Sequence, residues 1–106
     1  MRNHLLGAFI ASVLIAPAGA AQQGTRHTVT IDGVQFSPAE LTVHPGDRIV
    51  WVNKDPFPHT ATATNKLFDS GSIAVNASWS YTVTKKGDID YSCTFHPTMK
   101  GKIRVQ

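Results

Sequence analysis

One short segment near the C-terminus brings together three side chains that bind soft metal ions. Cys93, His96 and Met99 follow one another at intervals of three residues. Thiolate, imidazole and thioether groups are donors that suit copper. A second imidazole, His59, stands upstream in a proline-rich stretch, and Cys93 is the only cysteine, so it has no disulfide partner within the chain. The spacing predicts a mononuclear site formed by these four residues.

Each of these residues also has an ordinary structural explanation. Free cysteine is among the most buried residue types, and methionine commonly fills gaps in a core. A histidine beside a proline, as at His59 and His96, is common in turns. The metal site is favoured because all of these explanations would have to coincide at ligand spacing.

Three other functions use similar residues. A thiol-dependent hydrolase would need Cys93 near a loop that stabilises an oxyanion, and no such loop is evident. Zinc accepts cysteine and histidine, but the thioether of Met99 disfavours it. A copper chaperone or copper-storage protein remains the stronger alternative, although the methionine-rich or histidine-rich tracts that would favour it are missing.

The N-terminal residues have the organisation of a secretory signal peptide. A basic residue, Arg2, precedes an apolar run over residues 5–16 and small residues up to Ala20. We expect residues 1–20 to be removed, with cleavage after Ala20 or Ala21, and residues 21–106 to form one domain in the periplasm. The apolar run is too short to span a membrane comfortably, and no second one follows, so we expect a protein that does not span the membrane.

Charge and cysteine content narrow the functional classes further. The chain has 10 Lys and Arg against 7 Asp and Glu, an excess too small to indicate nucleic-acid binding. In an oxidising compartment an unpaired thiol is open to intermolecular disulfides and over-oxidation. Cys93 is therefore expected to be buried or bound to metal.

Hydrophobic alternation predicts strands and no helix over residues 21–106. The strand predictions cover residues 27–32, 41–43, 48–53, 59–64, 78–84, 89–93 and 102–106. Seven or eight short strands with closely spaced turns indicate an all-β Greek-key sandwich or barrel. We expect residues 22–25 to be a mobile lead-in and residues 65–77 to be loop with a short irregular strand. Trp51, Trp79 and Tyr81 are expected to pack in the core.

Residue alternation also orients two of the candidate ligands. His59 falls on the same face as the small residues Ala61 and Ala63, with the threonines on the other face. Cys93 falls on the same face as Tyr91. Its sulfur is therefore expected to point inward from a strand end, beneath the loop that carries His96 and Met99.

Over residues 21–106 the chain resembles the cupredoxins, which are small exported blue-copper proteins. The resemblance implies that His59, Cys93, His96 and Met99 bind one type 1 copper ion and that the protein is a monomeric electron carrier and not an enzyme. The short Cys-x2-His-x2-Met spacing is similar to that of amicyanins. Implied partners are redox proteins, such as a dehydrogenase and a c-type cytochrome, that dock near His96. The motifs that carry the resemblance are Phe36-Ser37-Pro38, Trp51-Val52-Asn53, Pro58-His59, Tyr91-x-Cys93 and Gly101-Lys102-Ile103.

Two departures from that family lie beside the ligands. Thr60 stands where an asparagine commonly follows the first histidine, and Phe95 stands where amicyanins carry a proline. Unlike proline, Phe95 has a backbone N–H. Our hypothesis is that this N–H points at the Cys93 sulfur, in which case it should raise the reduction potential. Asn53, and the hydroxyls of Thr60 and Thr94, are candidates for joining the two ligand loops.

The surroundings of His96 predict a docking face. Five residues are expected to ring it, and an apolar cluster at the metal end is typical of a docking surface. Lys54 and Lys100 beside it would steer acidic partners. His27 and His44 are expected on the surface with no ligand role. The residues of the ring are Pro56, Phe57, Phe95, Pro97 and Thr98.

Overall fold

The structure, a computed structural model, describes residues 24–106, and these residues form strands and turns without a helix. No helix in that part of the chain is therefore long and apolar enough to cross a membrane. The predicted signal peptide lies outside the described residues. The eight strands are β1 (Arg26–Ile31), β2 (Phe36–Ser37), β3 (Glu40–Val43), β4 (Arg48–Asn53), β5 (Thr62–Ala63), β6 (Ser78–Thr82), β7 (Gly87–Ser92) and β8 (Lys100–Val105).

The strands form two four-stranded sheets that enclose one core. One sheet has the order β2-β1-β4-β6 and the other the order β3-β8-β7-β5. Both are mixed, because β1 pairs with β4 and β3 with β8 in parallel, while the other pairs are antiparallel. The predicted all-β sandwich is confirmed.

The core follows the alternation of the sequence. Trp51 lies at its centre with no exposed surface, and its ring centroid lies 5.4 Å from that of Phe68 and 5.5 Å from that of Tyr91. Trp79 and Tyr81 are partly buried and pack against this cluster, as expected. Gly101 lies directly opposite Tyr91 on β8, and a Cβ there would overlap the tyrosine ring. A residue without a side chain is therefore required at this crossing.

Two buried carboxylates flank β4 and attach the ends of β1 to it. Before β4, Asp47 accepts hydrogen bonds from the backbone N–H groups of Thr25 and His44, both at 2.9 Å. After β4, Asp55 accepts hydrogen bonds from the N–H groups of Gly33 at 2.7 Å and Val34 at 2.9 Å. These carboxylates set the positions of the segments at opposite ends of the sandwich.

The contacts of Asp47 correct two predictions. The expected mobile lead-in is wrong at Thr25, which is bonded to Asp47 and also accepts a hydrogen bond from the Arg48 N–H at 2.9 Å. His27 is not a free surface residue, because its Nε2 lies 2.9 Å from Asp47 Oδ2 and its side chain is only 21% exposed. His44 is 75% exposed, as expected.

Residues 59–63 differ from a half-buried strand. All five are buried, including Thr60 and Thr62, which alternation places on the other face from His59. The reason is that residues 68–73 fold over them: the Ala63 N–H donates to the Phe68 carbonyl, and His59 and Ile73 exchange two backbone hydrogen bonds. The predicted loop at 65–77 therefore acts as a cover for the segment that carries His59.

Candidate metal centre

Cys93 lies directly after β7 and is fully buried, with a free thiol. The loop that follows is closed by its own backbone. The Cys93 N–H donates to the Met99 carbonyl at 3.1 Å, the His96 N–H to the Cys93 carbonyl at 3.2 Å, and the Met99 N–H to the His96 carbonyl at 2.8 Å. These bonds hold the three donor residues in one compact turn between β7 and β8, with Met99 buried.

His59 lies in the connection between β4 and β5 and approaches this turn from there. Its side chain is fully buried, and its Nδ1 lies 3.7 Å from Cys93 Sγ, while Nδ1 of His96 lies 3.8 Å from the same sulfur. The ligand atoms of all three residues lie within 4.8 Å of one another. The structure thus brings together His59, Cys93 and His96 as predicted from the sequence, and places buried Met99 on the same turn.

Asp55 determines which nitrogen of His59 faces the sulfur. Its Oδ2 lies 2.6 Å from His59 Nε2, and both side chains are buried. Burial disfavours the carboxylate, but hydrogen bonds from the Val34 N–H, the His59 ring and the Gly33 N–H outweigh it and hold the pKa of Asp55 below its ordinary value. An ionised carboxylate only accepts hydrogen bonds, so Nε2 carries the proton and Nδ1 keeps a lone pair for a metal. Such outer carboxylates commonly orient histidine ligands.

The donor set and its spacing fit copper. A first-row ion about 2.3 Å from sulfur and about 2.05 Å from nitrogen would separate those atoms by about 3.8 Å at a trigonal angle of 120°. The sulfur–nitrogen separations here are 3.7 and 3.8 Å. Two imidazoles and one thiolate in a trigonal arrangement, with a weak methionine, make the donor set of blue-copper sites.

The sulfur accepts a backbone hydrogen bond from a residue other than the one predicted. Thr60 N–H lies 3.3 Å from Cys93 Sγ in the buried interior. Among the described residues no hydrogen bond joins the Phe95 N–H to the sulfur, so the expectation for Phe95 is wrong. The backbone donor that reaches the sulfur comes instead from Thr60, on the opposite ligand segment.

The threonine hydroxyls join the two ligand segments, as predicted. The Thr94 N–H donates to Thr60 Oγ1 at 2.9 Å, and the two hydroxyl oxygens lie 3.2 Å apart. Asn53 does not make this link. Its Nδ2 donates to the carbonyls of Phe57 at 2.9 Å and Ile73 at 3.0 Å, and so attaches the His59 loop to the segment that covers it.

Three aromatic rings form the surface over the site. Phe57 is 38% and Phe95 53% exposed, and His96 is half-buried. The Phe57 centroid lies 5.1 Å from the ring of His59 and 5.7 Å from that of His96. Two members of the predicted apolar cluster, Phe57 and Phe95, are therefore exposed, and Phe57 lies directly against the rings of His59 and His96.

The sequence reasoning missed three residues near the site. Asp55 orients His59, and Thr62 with Asp69 extends the threonine contacts, as described below. A signal for Asp55 was present: it stands four residues before His59 within the same proline-rich loop. No comparable signal exists for Asp69, because only the folding of residues 68–73 over β5 brings it to Thr62.

Comparison with known proteins gives consistent relatives. The chain is 30% identical to amicyanin of Paracoccus denitrificans over 83 residues, which cover 74% of this chain and 63% of that protein. It therefore spans less than two thirds of that relative's length. It is 29% identical to amicyanin-alpha of Methylorubrum extorquens over 96 residues, covering 86% of this chain and 76% of that protein.

A solved structure agrees with these relatives. The Cu(I) form of a Met-to-Ala mutant of amicyanin superposes with a TM-score of 0.73 and 30% identity over 78% of this chain and 83% of that one. The family model of the cupredoxin-like domain matches residues 5–105. The sandwich, the donor set and these similarities together show that the chain belongs to the cupredoxin-like family, with copper as its cofactor.

Proposed function

We propose that this protein is an exported electron carrier that holds one type 1 copper ion on His59, Cys93, His96 and Met99. The observation that carries the proposal is the convergence of a buried cysteine sulfur with the Nδ1 atoms of two histidines. Copper bound there supplies a one-electron Cu(II)/Cu(I) couple. The similarity to amicyanins supports this assignment.

The role of the protein itself is to hold the donors in place. The closed turn at 93–99, the Asp55 carboxylate and the Thr60 N–H restrict the positions of the ligand residues. A rigid set of donors whose geometry is preferred by neither Cu(II) nor Cu(I) alone requires little rearrangement during electron transfer. His59, Cys93 and Met99 are buried, so three of the four residues that would hold copper offer no access to a substrate, which supports a carrier and not an enzyme.

Burial of the donors supports a carrier over the alternative of a copper chaperone or store. A chaperone must pass the ion to another protein through exchange of ligands, which requires donors that the partner can reach. Here His59 and Cys93 have no exposed surface and Met99 is 3% exposed. Only His96 is partly accessible. The arrangement supports exchange of electrons through His96 with the ion kept in place.

The proposed location and assembly follow from the sequence. Residues 1–20 are proposed to direct export to the periplasm, where residues 21–106 act as a monomer. An unpaired thiol that is buried and bound to metal is protected from the intermolecular disulfide formation and over-oxidation that an oxidising compartment favours. Mass determination of the protein secreted into the periplasm would test the cleavage site, and retention of the protein in the cytoplasm would contradict the proposal.

Partners are proposed to dock on the apolar surface around His96. Phe57 and Phe95 provide its exposed apolar area. Lys54 and Lys100 are also exposed: Lys54 follows β4 in the segment that leads to His59, and Lys100 follows Met99 at the start of β8. A redox protein with an acidic face, such as a dehydrogenase or a c-type cytochrome, fits this combination. Electrostatic steering makes the association rate fall as ionic strength rises.

The copper assignment is tested by the visible spectrum of the copper-loaded protein. An intense thiolate-to-Cu(II) charge-transfer band is expected, and Cys93→Ser should abolish it while the β-sheet circular dichroism is kept. A blue Cys93→Ser protein would show that the sulfur is not the ligand. A wild-type protein that binds copper without the band would contradict the type 1 assignment.

The docking surface is tested separately by stopped-flow electron transfer with an acidic redox partner. Lys100→Glu should slow the reaction at low salt without changing the copper spectrum. Lys86→Glu is the matched control, because Lys86 is an exposed lysine that precedes β7 at the opposite end of the sandwich. Equal slowing by both variants would place the electron exit elsewhere.

A further inference from the structure

A line of hydrogen-bonded side chains runs from the copper-ligand turn to an exposed carboxylate. The hydroxyl oxygen of Thr94 lies 3.2 Å from that of Thr60, which lies 3.0 Å from that of Thr62. Thr62 Oγ1 in turn donates to Asp69 Oδ1 at 3.1 Å. Thr60 and Thr62 are buried, whereas Asp69 is exposed. None of these side chains is a ligand.

The carboxylate fixes the direction of every bond in the line. Asp69 Oδ1 accepts from Thr62 Oγ1, so the single hydroxyl proton of Thr62 points to it. Thr62 must then accept from Thr60, which places the Thr60 proton on that bond. Thr60 Oγ1 can consequently only accept from its other neighbours, and it receives both the N–H and the hydroxyl proton of Thr94. Its two lone pairs are both used, so the arrangement is complete.

Asp69 is itself held in place for this role. Its Oδ1 also accepts the N–H of Gly71 at 2.9 Å, and its backbone forms a bridge with Thr62. Within residues 24–106 no lysine, arginine or histidine forms an ion pair with Asp69, so its negative charge is available to the threonine line.

We propose that Asp69 and Thr62 are positioning residues for the copper site, acting through Thr60 and Thr94. With its hydroxyl committed to Thr62, Thr60 presents an acceptor that holds the Thr94 N–H, while its own N–H donates to Cys93 Sγ at 3.3 Å. The line therefore keeps Thr94, which follows Cys93, bonded to Thr60, whose N–H donates to the sulfur. Hydrogen bonding around the cysteine sulfur tunes the reduction potential of blue-copper sites. This inference rests on the proposed function.

The first test uses amide hydrogen exchange of the metal-free protein, which does not depend on copper. Asp69→Ala and Thr62→Val should each release the Thr60 hydroxyl from its fixed orientation and so weaken the bond from the Thr94 N–H to Thr60 Oγ1. Exchange of that N–H should speed up by about two- to tenfold, the range that corresponds to the net strength of one neutral hydrogen bond. The Cys93 N–H, which donates to the Met99 carbonyl, is the reference for general loosening. Equal acceleration at both amides, or none at Thr94, would overturn the proposal.

Conservative variants separate hydrogen bonding from charge. Asp69→Asn loses the same charge as Asp69→Ala but keeps an acceptor oxygen, and Thr62→Ser keeps the hydroxyl that Thr62→Val loses. Both conservative variants should restore most of the wild-type protection at Thr94. If Asp69→Asn behaves like Asp69→Ala, the carboxylate acts through space, and the proposed line is wrong. Thr62→Ser and Thr62→Val provide the same comparison should Asp69→Ala fail to fold.

The second test measures the reduction potential in a double-mutant cycle. Thr62→Val, which changes no charge, should lower the reduction potential because the hydrogen bond to the sulfur weakens. The potential of Asp69→Ala should be lower than that of Asp69→Asn. In the Thr62→Val background the difference between Ala and Asn at position 69 should vanish, since the connection is already broken. A difference that persists in full would refute the proposal. A wild-type protein without the blue band would instead refute the proposed function, with the exchange test still valid.

Discussion

Replacing Asp55 by asparagine separates its structural role from its role at the metal site. Asp55 Oδ2 accepts both the Val34 N–H and His59 Nε2, while Oδ1 accepts the Gly33 N–H. In Asp55→Asn the amide oxygen can serve only one of these two positions. The orientation with the amide oxygen at the Oδ2 position keeps two contacts and is therefore favoured. It leaves the Gly33 N–H facing the NH2 group.

The expected loss follows from these contacts. One hydrogen bond to a charged group, worth about 1.5–3 kcal/mol, is lost, and two more become neutral and weaker, so the metal-free protein should lose about 2–4 kcal/mol. His59 also becomes less well oriented and less basic. Loss of such an outer partner typically lowers metal affinity about 10–100-fold, which corresponds to about 1.4–2.7 kcal/mol of additional loss in the copper form.

The assay is urea unfolding of the metal-free and Cu(I) forms together with a competition titration for copper. Asp47→Asn is the matched control, because Asp47 also accepts two backbone N–H groups and a histidine Nε2 but lies at the opposite end of β4. It should lower the stability of both forms equally and leave the copper affinity unchanged. If Asp55→Asn likewise destabilises both forms equally, the carboxylate serves only the turn at Gly33, and the argument for His59 fails.

Three further predictions concern Met99, acid stability and core packing. Met99→Gln should keep the blue colour and lower the potential measured by redox titration, because an amide oxygen favours Cu(II) over Cu(I). Hydrogen bonds from His27 and from the N–H groups of His44 and Thr25 lower the pKa of Asp47 from 3.8 to about 2. The folded state thus binds fewer protons, so stability should be complete above pH about 4 and fall towards pH 2, less steeply in Asp47→Asn. Gly101→Ala should cost about 1–3 kcal/mol in urea unfolding, because the added methyl overlaps a buried ring.

Each of these has a result that would contradict it. A higher potential in the glutamine variant would remove Met99 from the site. Asp32→Asn, at an exposed carboxylate, should leave the acid slope of the metal-free protein unchanged, and an equal effect there would dismiss the assignment to Asp47. Unchanged stability of Gly101→Ala would mean that the Tyr91 ring moves aside freely.

The strand predictions succeeded where side chains alternate between a core and solvent. β4 has the predicted bounds, and Cys93 lies at the end of β7 with its sulfur buried. The same reasoning selected His59, Cys93, His96 and Met99 as candidate metal ligands, because three of them share one short turn whose spacing is visible in the chain itself, and the structure brings His59, Cys93 and His96 together. Local periodicity and local spacing are properties that a sequence displays directly.

The tertiary structure decided which groups surround those donors. Asp55 reaches His59 only because its loop folds back onto the turn after β1, and Asp69 reaches Thr62 only because residues 68–73 cover β5. The backbone N–H that donates a hydrogen bond to the Cys93 sulfur belongs to Thr60, which is 33 residues away, and not to Phe95, which is two residues away. These contacts depend on how loops of irregular backbone pack against each other. Such loops lack a repeating pattern, so their partners are set by the three-dimensional balance of burial and hydrogen bonding and not by spacing along the chain.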